Sequence, residues 1–335
     1  MTRRLFISAL ILAAVSCGRL EPSRPGQDRK IAISLETKAS FLSPSGEIPS
    51  TILVAKSSDY AGMATSGLAA PYYSCSIPDL NQWDGQFYNT RKPYPDDNSP
   101  VYIFGYAPDN GLTTTDSWKT LLPNYPGSVY DNSLWGEILL ASPVSGSIDS
   151  PVAESLSYCH PVARFRFLAF KETGMVNYHV KDVRLTIGTE LVPYSLVWNS
   201  GMWRPQSKVS NDVEFTFKDD NEVTILGRGE ENALEMSPYY ILPQENNSFG
   251  PFTIEATYYI EGDPASERQH TKTDVYFQIN TDRSGNPVSS INQGEDYAVL
   301  IRFNQDSFTI SGVKLDDWED GGNIVIPIIN ETTIF

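Results

Sequence analysis

Cysteine and histidine are scarce in this chain, with three of each in 335 residues. That excludes a disulfide-stapled mini-fold. His160, His179 and His270 lie far apart, and no pair has the close spacing of a zinc motif, so no metal site is expected. Basic residues are also in short supply. Lys and Arg number 25 against 41 Asp and Glu, a formal charge of −16, which is the wrong sign for a phosphate-binding footprint and excludes nucleic acid as a partner. Long apolar runs are missing apart from Leu5–Val15, which is shorter than the roughly 20 residues needed to cross about 30 Å of hydrocarbon. There is no Gly-x-Ser-x-Gly elbow, no His-Glu-x-x-His pair and no Gly-rich phosphate loop. The expectation is a non-enzyme without a cofactor. An envelope hydrolase stays open as a third reading, because a glycosidase needs only two carboxylates that meet in space.

What is present begins at the N-terminus. Arg3 and Arg4 precede the Leu5–Val15 run, which closes on Leu12-Ala13-Ala14-Val15-Ser16-Cys17. A positive start, a short apolar segment and small residues before a cut are the marks of a secretory signal peptide. A cysteine at the first mature position makes it a lipoprotein signal, since its thiol and the freed amine can carry acyl chains that anchor stably in a membrane. The alternative is an ordinary signal peptide with an incidental cysteine. The reading assigns residues 1–16 to the signal peptide, Cys17 to lipidation and membrane attachment, and 17–29 to a tether. Losing Arg3 and Arg4 takes the formal charge to −18.

The remaining chain of about 320 residues suits two cores of ordinary size. Periodicity makes them β. Arg164-Phe165-Arg166-Phe167, Val213–Phe217, Phe252–Ile260, Val275–Ile279 and Tyr297–Phe303 alternate apolar with polar or partly polar residues. Turn signals separate them at Asp109-Asn110-Gly111, Asn199-Ser200-Gly201, Glu261-Gly262-Asp263-Pro264, Ser284-Gly285-Asn286-Pro287 and Asp320-Gly321-Gly322. Many short strands punctuated by Gly and Pro indicate sandwiches. Only a turn or two of helix is expected, around Leu134 to Leu140, which excludes the helical-repeat lipoproteins that bind glycans.

Cys75 and Cys159 permit two arrangements in an exported protein. One is a disulfide closing a loop of some 84 residues and contributing roughly 4 kcal/mol; the other is two buried thiols. Trp83, Phe87, Tyr88 and Tyr94 cluster in a segment rich in Asp, Asn and Pro, where exposed rings would stack on sugars and packed rings would be core. The acidic stretches Asp96-Asp97-Asn98 and Asp316-Asp317-Trp318-Glu319-Asp320 could hold calcium but lack EF-hand spacing. Solvated charges are the simpler reading.

In order along the chain stand Tyr94-Pro95-Asp96, Val101-Tyr102-Ile103-Phe104-Gly105-Tyr106-Ala107-Pro108, Ile138-Leu139-Leu140-Ala141 and His160-Pro161-Val162-Ala163 leading into Arg164–Phe167. Then come Trp198 to Trp203, Tyr240-Ile241-Leu242-Pro243-Gln244, Gly294-Glu295-Asp296-Tyr297 and Val313-Lys314-Leu315-Asp316-Asp317-Trp318. Behind a lipoprotein signal, this order resembles the fimbrillin family of Bacteroidales, the FimA- and Mfa-type lipoprotein pilins, anchors and tip subunits. The resemblance covers roughly residues 30 to 320.

The resemblance implies an all-β chain of two tandem transthyretin-like β-sandwich domains, set here at 30–165 and 166–335, with the His160 segment ending the first or opening the second. It implies a structural and adhesive subunit of a cell-surface fimbrium at the outer membrane. Its partners would be other fimbrial subunits, joined by β-strand addition, and a host or bacterial surface receptor. Gly18-Arg19-Leu20-Glu21 carries no acidic run after the cysteine, so surface exposure rests on the family. Polymerising members lose their first strand to a protease that commonly cuts after arginine. Here the first strand reads Lys30–Glu36 with Ile31, Ile33 and Leu35 inward. Arg19, Arg24 and Arg29 precede it, and the next arginine is Arg91. Only Lys38 and Lys56 lie between, so the expectation is an anchor, tip or accessory subunit rather than a processed stalk pilin. At the other end Asn323–Asn330 is apolar and β-branched, with Pro327 restricting it to an edge or bulge; it reads as a final strand of its own domain or, alternatively, as a donor strand. The competing function is that of a surface glycan-binding lipoprotein of a nutrient-uptake system.

Overall fold

A computed structural model describes residues 30–317 except 38–46, 56–72, 84, 116–119, 200–201, 208–212, 217, 220–221, 224–225, 236–237, 281–286 and 306–307. The described chain is all β, as expected. In order the strands are β1 (Lys30–Thr37), β2 (Ser50–Ala55), β3 (Tyr73–Ile77), β4 (Phe87–Pro93), β5 (Val101–Ala107), β6 (Leu112–Thr115), β7 (Thr120–Pro123), β8 (Leu139–Gly146) and β9 (Leu156–Cys159). They continue as β10 (Ala163–Lys171), β11 (Tyr178–Ile187), β12 (Ser195–Asn199), β13 (Met202–Gln206), β14 (Val213–Thr216), β15 (Lys218–Asp219), β16 (Glu222–Val223) and β17 (Leu234–Glu235). Last come β18 (Tyr239–Ile241), β19 (Ser248–Ile260), β20 (Asp263–Gln278), β21 (Glu295–Phe303) and β22 (Phe308–Asp317). Where a helix was expected near Leu134, the chain makes one 3-10 turn, Asn132–Gly136, capped by Asp131 accepting from the Ser133 amide, and Leu139 already begins β8. Gly136 closes the turn against Tyr240, whose hydroxyl would be 2.2 Å from a Cβ at that position.

Two cores form on the two stretches of chain. Strands β3-β2-β5-β8-β9-β1-β4 make a continuous path that folds over a cluster running from Ile31 to Tyr158. The second core runs from Ala163 to Phe308, between the sheet β17-β10-β21-β22, with β18 also on β10, and the sheet β14-β11-β19-β20. Its centre is aromatic: Phe165 meets Phe249 at 4.2 Å, and Phe252 meets Phe277 edge-on at 4.7 Å. Two bulges reset the alternation. Asp182 (φ 51) turns both Val180 and Val183 inward, and Asp274 (φ 55) brings Val275 and Phe277 back to the core after the exposed stretch of β20.

A third cluster joins the two. The sheet β13-β12-β7-β6 takes two strands from each side of residue 165, pairing Leu196 with Leu121. It packs Trp198, Trp203 and Leu121 against Leu53, Phe104 and Tyr106 on the outer face of β2 and β5. Trp198 stands edge-on to Phe104 at 4.8 Å and to Trp203 at 5.0 Å.

Candidate strand-exchange site

β1 alternates Ile31, Ile33 and Leu35 with Ala32, Ser34 and Glu36, and all three aliphatic side chains are fully buried. Its residues therefore face where the period-2 reading placed them. What the period could not show is that β1 has two partners. Its first half runs antiparallel to β4, with Ile33 opposite Tyr88 and Ser34 opposite Phe87. Its last three residues run parallel to β9, with Leu35 opposite Leu156 and Thr37 opposite Tyr158. The Leu35 amide donates to Gln86 O (3.1 Å), the Gly85 amide donates to Leu35 O (2.8 Å), and the Thr90 hydroxyl donates to Ile31 O (2.9 Å).

The energetics make this strand decisive for the first core. Fully burying three aliphatic side chains is worth on the order of 5–9 kcal/mol, comparable with the whole net stability of a domain, about 5–15 kcal/mol. Among the described residues β4 has no other strand partner, and β9 would become an edge without β1. An empty seat would thus present unpaired backbone on two strands above a hydrophobic groove, the arrangement that accepts an added strand.

Cys75 lies beneath this seat. It is buried on β3, its thiol donates to Thr90 O at 3.8 Å, and burial pushes its pKa up despite the opposing charge of Lys92. Cys159 ends β9, partly exposed, and its sulfur accepts from the Gln293 amide at 3.6 Å. Both are free thiols. Along the strand path β2, β5 and β8 stand between them. Of the two arrangements the sequence allowed, the structure has the one without a disulfide. Cys17 and Asn323–Asn330 lie outside the described residues.

The other singled-out residues scatter. Tyr94 is core, its hydroxyl accepting from the Val152 amide at 3.1 Å; Tyr88 is half-buried with its hydroxyl donating to Ser76 O; Phe87 is exposed on β4. Among the described residues Phe87, Tyr88 and Tyr94 differ in burial and share no exposed face; the side chain of Trp83 is outside the described set. Asp97 and Asn98 spend carboxylate and amide oxygens on the Ser99 and Asp149 amides. Among the described residues no three His, Cys, Asp or Glu side chains converge as metal ligands would. Sequence reasoning missed Thr90 and the β9 segment Leu156–Tyr158, for which there is no local signal, because their roles come from pairing across 59 and 121 positions.

His160, from the ordered motif, lies between the two cores. It is buried, its Nδ1 lies 3.1 Å from Ile138 O, and its pKa falls to about 3 because burial opposes charge, with Arg164 adding repulsion and the Ile138 contact opposing both. Nearby, Asp296 on β21 is buried and takes Arg164 and Arg166 from β10, each at 2.8 Å.

No family model and no curated protein matches the chain. Among solved structures it is similar to a candidate cell adhesion protein of Bacteroides uniformis, at 13% identity and TM-score 0.47, covering 87% of this chain and 100% of that one. It is similar to a fimbrial protein of Bacteroides vulgatus at 12% and TM-score 0.42, covering 86% and 99%. It is also similar to a candidate polysaccharide-binding protein of Bacteroides thetaiotaomicron at 9% and TM-score 0.47, covering 87% and 97%. At these scores the likeness carries nothing about this chain's role, and the site stands on its own geometry.

Proposed function

We propose that this chain is a structural, non-enzymatic subunit of a cell-surface fimbrium that joins its neighbours by β-strand addition at the seat filled by β1. The observation that carries this is the seat itself: an N-terminal strand supplies three fully buried aliphatic side chains and bridges two strands that would otherwise be edges. In this reading the two cores are two domains of one subunit, the lipid on Cys17 holds it to the outer membrane, and its partners are other subunits and a surface receptor. Head-to-tail contacts of this kind do not close, so they generate a filament.

The role within the filament is that of an anchor, tip or accessory subunit. The first arginine after β1 is Arg91, which lies in β4 itself. A cut after Arg19, Arg24 or Arg29 would leave β1 seated. The test is the intact mass and N-terminal state of the protein from its native envelope, together with immunogold labelling. The expected result is a chain starting at acylated Cys17 and located at filament bases or tips. A chain trimmed beyond Glu36 and lying along filaments would overturn the assignment of role, and acylated protein on cells without filaments would overturn the fimbrial reading.

A further inference from the structure

At the hairpin between β19 and β20 lies an open hollow of about 430 Å³, bordered by Lys181, Tyr259, Ile260, Asp263, Pro264 and Glu267. The turn is built to hold its shape. Gly262 (φ +79) supplies the left-handed step, Asp263 Oδ1 accepts from the Ala265 amide (3.1 Å), and the Ser266 hydroxyl both donates to Asp263 O (2.6 Å) and accepts from the Ile260 amide (2.7 Å). The Glu261 amide ties the tip to Asn177 O at 3.0 Å.

The side chains around the hollow are pinned from behind. His179 stacks on the Tyr259 ring at 5.1 Å with 22° between planes. His179 is itself placed by Lys171 Nζ at 3.2 Å from Nδ1 and by Glu261 at 3.5 Å from Nε2. Lys181 Nζ lies 5.3 Å from the Tyr259 ring centre and donates to Glu267 Oε2 at 3.0 Å. The Tyr259 hydroxyl bonds no described residue, and one oxygen each of Glu267 and Asp263 is likewise unspent.

The chemistry selects one ligand class. An apolar slot of ring and proline, edged by a fixed ammonium–carboxylate pair and a spare phenol, offers a donor beside an acceptor, as vicinal hydroxyl groups require. Glu261, Asp263 and Glu267 repel anions, and the cation position against the ring is already taken by Lys181. We propose that this hollow binds a neutral sugar residue of a glycan chain. The inference is independent of strand addition at β1, which lies in the other core.

The test uses the full chain on an array of neutral oligosaccharides, including cellotriose, mannotriose and N-acetyllactosamine, with sialyllactose as the acidic comparison, followed by calorimetric titration. Saturable binding of a neutral probe is expected. Tyr259→Ala and Glu267→Gln should each weaken it at least about tenfold, with Tyr259→Phe weakening it less and Glu154→Gln, on an exposed loop, leaving it unchanged. Circular dichroism of each variant separates lost binding from lost folding, and Tyr259→Phe and Glu267→Gln are near-isosteric. Absence of saturable binding to any neutral probe, binding of sialyllactose alone, or affinity unchanged in all three site variants would overturn the proposal.

Discussion

Gly105 shows how one residue can be read from sequence as a motif member and understood only in space. A Cβ there would lie 2.2 Å from the Tyr158 hydroxyl and 3.2 Å from Ala141 Cβ. That phenol cannot swing aside, because it is fully buried and hydrogen-bonded to Ser50 Oγ at 2.8 Å. Gly105→Ala is expected to cost about 1–3 kcal/mol through overpacking, read as a lower urea midpoint with unchanged slope. His160 is the second case. Its folded pKa, about 3, lies below the unfolded value of about 6.5, so between these pH values the unfolded chain binds the extra proton. The stability from burying the neutral ring is complete above pH 6.5 and is lost as pH falls toward 3, by up to about 1.4 kcal/mol per pH unit. His160→Asn, which removes the titrating group, should flatten stability against pH between 6.5 and 4 in denaturant titrations. An unchanged slope would place the acid sensitivity elsewhere.

At the scale of elements, β1 and β20 are treated in opposite ways: β1 has a partner on each side, whereas β20 is the last strand of its sheet. β1 was legible from its alternation, and the structure seats it with Ile31, Ile33 and Leu35 inside. β20 was legible only from Val275 on, because its first twelve residues carry Arg268, His270 and Lys272 opposite the buried Tyr258, Ala256 and Ile254. Charges turned inward on an edge discourage pairing with another chain, and they also erase the apolar periodicity that announces a strand. The turn or two of helix expected around Leu134 to Leu140 is a single 3-10 turn, Asn132–Gly136, capped by Asp131, and Leu139 already belongs to β8. If β1 is the removable element, Ile33→Ala should cost about 2–5 kcal/mol. In hydrogen exchange it should speed β1 and β4 amides together while sparing β19. Uniform acceleration would show that β1 does not act as a separate unit.

For the whole molecule the decisive feature is the sheet β13-β12-β7-β6, which takes strands from both halves and seals them with Trp198, Trp203, Phe104 and Leu121. A chain divided on sequence at residue 165 gives no hint of this, since β6 and β7 lie in the first half and β12 and β13 in the second. The sheet should couple the two cores. The intact chain is expected to unfold in one calorimetric transition, and Trp198→Ala, removing about 3–5 kcal/mol of aromatic packing, should separate it into two. A single transition in the variant would mean that Trp198 does not carry the coupling between the cores.

The sequence by itself determined the all-β class, the inward faces of β1 and β19 and the scarcity of metal-binding side chains. These follow from a side-chain period of two, from turn residues and from composition, which are all local. Tertiary structure alone decided that Cys75 and Cys159 stand four strands apart, that β1 bridges β4 and β9, and that the two halves share a sheet. It also set Tyr259 beside Lys181 and Glu267. These depend on which distant strands pair, and strand pairing is set by how two buried faces fit together, a property that no single segment carries.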